Sequence, residues 1–549
     1  MTPGENPLDR ARSIARMGAE DFDLAIIGGG INGAAVARDA AMRGMRVAIV
    51  DRGDFAGGTS SRSSKLIHGG FRYLPQGQLK LVYEALRERE RLRRRTAPHL
   101  VKPIRFLFPI YRGRGFGRFT MSMGLWLYDL FARMPRAQWH SNLNAASVRE
   151  IEPALARANL AGGSLYYDAW ADDARITFEN ILDAAIHGAA VANYANVEGF
   201  ARDATGRISA MSVKDLATDA TLELRARIFV NAAGPWVDHI RRLDDPAARN
   251  CVRLTKGVHL IFPRTTLPVH DSLVLADETG RIVFVMPHEH YVLVGTTDTD
   301  YNADPAAVTT DQSDVAYLLG VLAESLPGIK LSAEDVASSF AGLRALVENG
   351  ADSKAPSSVP REEVILESAS GMLTVAGGKL TTHREIAEKL VNRVMKDLRH
   401  APGVCPTRET PLPGARPASE DIGGDRKGVE ALATLPRVAR EILVARYGTR
   451  AAIPAQIAAT GAGLAAPLAA GCPVIGAEVI YAVRNEMVSR LSDFMVRRTA
   501  MVWRYPLEAD LAAPTVARLM AAELGWDAAH EAGELAAYRD DMARRRSPA

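Results

Sequence analysis

The feature that most restricts this chain lies close to its start. Residues Phe22 to Ile27 are apolar apart from Asp23 and run into Gly28-Gly29-Gly30-Ile31-Asn32-Gly33. An alanine-rich stretch, Ala34 to Arg43, follows and is closed by Gly44, after which Arg46 to Asp51 returns to strand character. This predicts a strand, a glycine turn, a helix and a second strand, and with them a parallel sheet with a right-handed crossover. The glycines have separate tasks. Gly28 permits the tight turn, Gly30 lets the backbone approach a pyrophosphate, and Gly33 lets the helix pack against the sheet. Amides at the helix N-terminus, around Asn32, supply partial positive charge. Asp51, at the end of the second strand, stands where an acidic residue accepts hydrogen bonds from adenosine ribose hydroxyls. The motif by itself fits FAD and NAD equally.

Two further segments favour FAD. Val230 to Trp236 ends a strand in small residues around Gly234, as a backbone pressed against a bulky cofactor requires. Gly377-Gly378-Lys379-Leu380-Thr381-Thr382 repeats that logic after a predicted strand, Leu373 to Ala376. A cofactor touched by three distant segments suits the extended FAD better than an exchanging nicotinamide. Strands are also expected at Ser209–Val213 and Arg227–Asn231, and antiparallel strands of a second sheet at Val258–Phe262, Ile282–Met286 and Tyr291–Gly295. Past residue 80 the pattern reads as helical and basic, then apolar from Phe119 to Met134. Pro402 to Pro417 reads as a linker, Ala451 to Ala477 as a loop with short helices, and Glu478 to Trp503 as a periodic helical segment. Within that segment Asp493, Arg497 and Arg498 have the spacing of a structural ion pair.

Composition adds little except through its distribution. At 549 residues, 47% hydrophobic and 24% charged, the chain has the make-up of a globular protein with several domains. Its net charge is +3, yet the window from Arg87 to Arg118 alone carries eleven Lys or Arg against Glu88 and Glu90. A basic surface beside an apolar, Trp-containing segment suits a protein lying on an anionic membrane leaflet. Nothing in the window resembles a base-stacking platform, so nucleic acid is set aside. Cys251, Cys405 and Cys472 are widely spaced and show no metal-ligand pattern, which suits a reducing compartment. Residues 1–20 lack the apolar core of a secretory signal, and Ala451–Ala477 is too poor in large apolar side chains to span a membrane.

The stretch from Gly58 to Leu74, with Thr59, Ser60, Ser61, Ser64, Lys65, His68-Gly69-Gly70 and Arg72-Tyr73, closely resembles the flavin-proximal loop of the FAD-dependent, aerobic-type glycerol-3-phosphate dehydrogenases. Gly234-Pro235-Trp236, Lys256-Gly257 with His259, Gly295 to Asp298, Gly342-Leu343-Arg344 and Gly377 to Thr382 resemble the same family in the same order. Ala35, Ala345 and His383 depart from its usual glycine, proline and tyrosine. The resemblance implies a doubly wound, Rossmann-like FAD-binding α/β domain, an inserted antiparallel β-sheet substrate domain and a C-terminal α-helical domain. The corresponding boundaries are an extension at 1–20, the oxidoreductase region at 21–400, the linker at 401–417 and the helical domain at 418–549. FAD-binding segments fall at about 21–80, 145–256 and 345–400, with substrate- and membrane-facing segments at about 81–144 and 257–344.

The implied chemistry is oxidation of sn-glycerol 3-phosphate to dihydroxyacetone phosphate with electrons passed to a membrane quinone. The implied setting is peripheral, on the cytoplasmic face of the inner membrane, and a homodimer is compatible with it. The cofactor would be held by Gly28, Gly30, Asn32, Gly33, Asp51, Thr59, Ser60, Ser61, Ser64, Lys65, Gly234, Gly378, Leu380 and Thr381. Arg suits a dianionic phosphate, because its fork donates two hydrogen bonds. Arg72, Tyr73 and Lys379 are therefore expected at the substrate, and Arg344 either there or polarising the hydroxyl. A histidine has the resting pKa for accepting the hydroxyl proton, so His68 and then His259 are the expected bases. Oxygen as acceptor, an amine substrate, and a flavin-binding membrane adaptor without turnover remain alternatives.

Overall fold

The computed structural model describes residues 6–71, 74, 77–113, 117–347, 363–417 and 426–546. The chain enters with helix α1 (Arg10–Ala19), capped by the Asp9 carboxylate on the Arg12 amide and tied by Arg10 to Asp215 at 2.5 Å. Strand β1 (Asp21–Ile27), helix α2 (Ile31–Met42) and strand β2 (Val47–Val50) then form the predicted unit. The helix begins at Ile31, three residues before the expected start, so Gly33 lies inside its first turn.

β1 pairs in parallel with β2 on one side and with Thr221–Asn231 on the other. Beyond them lie Ala190–Ala192, also parallel, and Leu373–Ala376 with the antiparallel edge Val364–Glu367. Both faces of this sheet are covered, which is why β1 is almost continuously apolar. Leu24 and Ile26 pack under α2 and the helices Asp173–Ile186 and His383–Asp397. Ala25 and Ile27 pack on the other face, against α1 and the hairpin Ala195–Arg202/Ile208–Asp215.

The second sheet has ten strands among the described residues. It is antiparallel apart from one pairing, Ser272–Ala276 with Val101–Tyr111. The expected strands are there, two of them extended to Val252–Pro263 and Ile282–His288 and the third at its expected bounds, Tyr291–Gly295. The region past residue 80 is not helical throughout. Between the helices Leu79–Arg91 and Arg118–Ala132 it holds the eleven-residue strand Val101–Tyr111, paired along its length with Leu160–Ala171. Phe106 and Leu107 are fully buried while Lys102, Pro103 and Arg105 face outward, so the basic residues hid a strand.

The basic window is also less of a surface than its sequence suggests. Arg89 is 1% exposed and bonded to Asp168, Arg91 pairs with Glu88, and Arg93 and Arg94 share Glu90.

The proline-rich stretch near 401–417 is pinned to the two-sheet body of the chain. The Leu412 amide donates to the Thr96 carbonyl at 2.7 Å, and the Gly414 amide to Glu179. The chain then becomes mainly helical. Residues 451–477 form a short helix, Ala452–Ala458, and a small hairpin, Pro467–Ala469/Cys472–Ile475. No helix among the described residues is long and apolar enough to cross a membrane. The segment from Glu478 to Trp503 is broken: a helix ends at Asn485, a wide turn covers Asp493–Arg498, and a short helix follows at Met501–Arg504. The break is made by Asp493, whose Oδ2 accepts the amides of Ser489 and Arg490.

Two buried charge clusters weld the helical region to the first domain. The Arg175 fork donates to both oxygens of Glu486 at 2.7 and 2.6 Å, with both side chains fully buried. Asp54 accepts Arg497 Nε at 2.6 Å and both terminal nitrogens of Arg498 at 2.8 and 2.9 Å. Asp493 and Arg497 do form the expected ion pair, whereas Arg498 turns to Asp54. Removing one member of a buried pair leaves the other charge uncompensated. Glu486→Ala is therefore expected to lower unfolding stability by about 3–5 kcal/mol, and Arg175→Met with Glu486→Leu by far less. Urea midpoints of the two variants check this, and equal losses would refute it.

Candidate active site

One cavity of about 1310 Å³ runs along the junction of the two sheets. Its first end is built by the β1–α2 turn. Gly28, Gly30, Ile31 and Asn32 line it, together with Asp51 to Asp54 from the loop after β2. The α2 helix can sit on this turn only because Gly33 has no side chain: a Cβ there would lie 1.9 Å from the Gly28 carbonyl oxygen. The Ile31 amide donates to Ser60 Oγ at 2.9 Å, which brings the serine-rich loop against the helix start. The Asn32 amide group donates to the Gly377 carbonyl, binding the third glycine segment to the first.

Asp51 is held by backbone alone. Its Oδ2 accepts the Gly29 amide at 2.6 Å and its Oδ1 the Gly53 amide at 2.8 Å. Burial pushes its carboxyl up to about 6, against the pull of those amides. Three residues on, burial would raise Asp54 as well, but Arg498 and Arg497 outweigh it and hold that carboxyl at about 2.

The second end is formed where three segments meet. Thr59 Oγ1 donates to the Leu343 carbonyl at 2.6 Å, and Thr381 Oγ1 donates to the His68 carbonyl at 3.2 Å. His68, His259, Arg344 and Lys379 line this part of the cavity, with Ser64, Gly234, Gly378, Leu380 and Thr381. Arg344 is oriented by Asp298 at 3.1 Å, Thr296 Oγ1 at 3.0 Å and the Thr297 carbonyl at 3.2 Å. Gly257 leaves room for it, since a Cβ there would meet the guanidinium at 2.4 Å. His259 stacks on Phe340 with ring centres 4.8 Å apart, and its Nε2 is 2.8 Å from Ser64 Oγ. Burial, and then the nearby Arg344 and Lys65 cations, keep its imidazole far below the ordinary range, so it is neutral.

Most residues singled out in the sequence therefore share one cavity, but not all. Lys65 is turned into the protein, where its ammonium binds Asp173 at 2.6 Å and the Ser61 carbonyl at 3.0 Å. Ser61 and Gly33 likewise stand behind the lining, and Arg72 and Tyr73 lie outside the described residues. His383 does not line the cavity. Its Nδ1–H donates to the Leu380 carbonyl at 2.7 Å, and burial lowers its pKa to about 4. Ala345 does line it, as do Arg62, Phe71, Tyr166, Asp168 and Arg281, which the sequence did not single out. Asp168 takes its place through a buried network, accepting from Tyr128 and Arg89 and facing the Gly69 amide.

The lining suits a long dinucleotide. Gly28, Gly234, Gly377 and Gly378 all adopt positive φ, so the backbone itself approaches the cavity at the three segments expected to touch a cofactor. At the first end, helix-start amides and Asp51 offer a pyrophosphate and a ribose their partners.

Comparison with known proteins agrees. Residues 23–384 match the family model described as FAD dependent oxidoreductase, and residues 405–531 that of the C-terminal domain of alpha-glycerophosphate oxidase. The chain is 37% identical over 500 residues to the aerobic glycerol-3-phosphate dehydrogenase of Staphylococcus saprophyticus, covering 88% of this chain and 87% of that one. It is 36% identical over 501 residues to the corresponding protein of Staphylococcus aureus, with the same coverage. The crystal structure of the glycerol-3-phosphate dehydrogenase from Bacillus halodurans, complexed with FAD, superposes with a TM-score of 0.80 at 30% identity over 99% of each chain. An L-proline dehydrogenase from P. horikoshii, at 17% identity and a TM-score of 0.53, shares the fold.

The Asp51 carboxyl sets a pH dependence. As a ribose partner, ionised Asp51 would accept both hydroxyls, whereas protonation turns one of its oxygens into a donor and weakens that acceptance. FAD affinity of the deflavinated protein should thus be flat above pH 7 and weaken as pH falls through about 6, by up to about 10-fold per unit. Asp51→Asn should abolish the slope. Flavin-fluorescence titrations between pH 5 and 8 check this, and a wild-type dissociation constant that stays level would refute it.

Proposed function

This chain belongs to the FAD-dependent oxidoreductase family, and from that premise we propose that it oxidises sn-glycerol 3-phosphate to dihydroxyacetone phosphate and delivers the electrons to a membrane quinone. The observation that carries this reading is the convergence of His68, His259, Arg344 and Lys379 on the end of the cavity remote from the adenosine-binding loop. The names of the two staphylococcal relatives and of the Bacillus halodurans structure supply the substrate. When bound, FAD would supply a ring that accepts one hydride, which carries both electrons of the oxidation.

The protein's own residues have three tasks. Arg344 and Lys379 are the cations for the substrate's anionic end. Arg344 is pre-oriented by Asp298 and Thr296, so little ordering is lost when it binds. His68 is assigned the hydroxyl proton, because its loop is anchored through its own carbonyl by Thr381. His259 is disfavoured as a base, since burial and two neighbouring cations oppose its protonation. Its role is a neutral hydrogen-bonding wall through Ser64. The glycines at 234, 377 and 378, all at positive φ, leave bare backbone where the flavin ring would lie.

The membrane part of the reading rests on the helix Arg118–Ala132. One face buries Met121, Leu125, Tyr128 and Ala132, while the other exposes Phe119 at 81%, Met123 at 61%, Trp126 at 53% and Leu130 at 49%. Exposed Arg118, Arg133 and Arg136 flank that outer face. An apolar stripe between cations suits an anionic, peripherally bound leaflet.

Anaerobic addition of glycerol 3-phosphate should bleach the flavin absorbance of the purified protein, and readmitted oxygen should restore it more slowly than a quinone analogue does. No bleaching would reject the substrate, and rapid peroxide formation would replace the quinone by oxygen. Lys379→Ala should raise KM about 10- to 100-fold with the flavin spectrum unchanged. Phe119→Ser with Trp126→Ser should release the protein from anionic vesicles while turnover with a soluble dye persists; retained binding would remove that helix from the reading.

A further inference from the structure

The adenosine end of the cavity has a wall that the dinucleotide motif does not provide. Asp51 marks the ribose position. The chain leaving the strand Ala190–Ala192 is bonded directly beside it: the Tyr194 amide donates to the Gly53 carbonyl, and the Ala195 amide to the Asp51 carbonyl. Tyr194 to Val197 thus line the cavity past the ribose, where the adenine of a bound dinucleotide projects. Facing this strip are Arg490, Ser492 and Arg497, some three hundred residues further along the chain and in the helical C-terminal domain.

Their placement is fixed. Asp493 Oδ1 accepts the Tyr194 hydroxyl at 2.5 Å while its Oδ2 accepts the Arg490 amide at 2.9 Å. The Arg490 guanidinium lies over the Tyr194 ring, 4.6 Å from its centre. Arg497 reaches the same wall, held between Asp54 and Asp493. Arg490 is itself exposed, so it stands between the adenosine end of the cavity and solvent.

We propose that the loop from Arg490 to Arg497 is a working part of the dinucleotide site, in which Arg490, laid on Tyr194, covers the adenosine half of FAD and retains it. A planar guanidinium can stack on an aromatic ring with one face and meet a purine or its phosphate with its remaining surface. The C-terminal domain then contributes to cofactor retention as well as to stability.

The test uses the full-length deflavinated protein, titrated with FAD and separately with ADP as a competitor carrying only the adenosine diphosphate half. Arg490→Ala should weaken FAD about 5- to 30-fold and ADP by the same factor. Arg490→Met, which keeps the stem but not the guanidinium, should behave alike. Arg437→Ala, on an exposed helix of the same domain, should change neither. Unchanged FAD affinity, a loss for FAD without one for ADP, or a loss confined to the alanine variant would each overturn the proposal.

Discussion

The structure depends on one close approach. The first turn of α2 sits so tightly on the turn before it that a methyl group at Gly33 would overlap the Gly28 carbonyl oxygen. With the helix start driven down onto the strand ends, its unpaired amides face the cavity instead of solvent. The same closeness lets Ser60 reach the Ile31 amide and Asn32 reach the Gly377 carbonyl. Three distant parts of the chain therefore meet around one backbone feature, and the rest of the cavity is hung from those contacts.

The loop after β2 shows how partners decide the fate of a buried acid. Asp51 is half-buried and Asp54, three residues on, is buried, yet the first is pushed up to about 6 and the second held at about 2. Asp51 has only amides, which are dipoles, and these do not offset the loss of water. Asp54 has two guanidinium groups. The first retains accepting capacity for a ligand, while the second is consumed by the protein. The active end repeats the contrast: Lys65 is committed to Asp173, whereas Arg344 is oriented by its neighbours and still lines the cavity.

What the sequence made legible follows from period and spacing. The β1–α2–β2 unit and the strands Tyr291–Gly295 and Leu373–Ala376 were readable because glycines and apolar runs impose local geometry, whereas the grouping of His68, His259, Arg344 and Lys379 was readable only through the family resemblance. Other features depended on partners far away in the chain. Lys65 looks like any cation in a loop until Asp173 is placed beside it. The arginines at 89–94 suggested a basic surface because their acids, Asp168, Glu88 and Glu90, are hidden by the fold or by the helix itself. The strand Val101–Tyr111 was masked by outward-facing Lys102 and Arg105, and the break before Asp493 by a periodicity that its carboxylate interrupts. Arg490 had no local mark at all, since its meaning comes from Tyr194.

Asp54 also imposes an order on assembly. A ribosome emits this carboxylate early, and the two guanidinium groups that neutralise it follow more than four hundred residues afterwards. Until they emerge, the nascent nucleotide loop carries an acid that cannot leave water cheaply, and Arg175 waits in the same way for Glu486. The nucleotide loop therefore reaches its buried arrangement only with Arg497 and Arg498 in place.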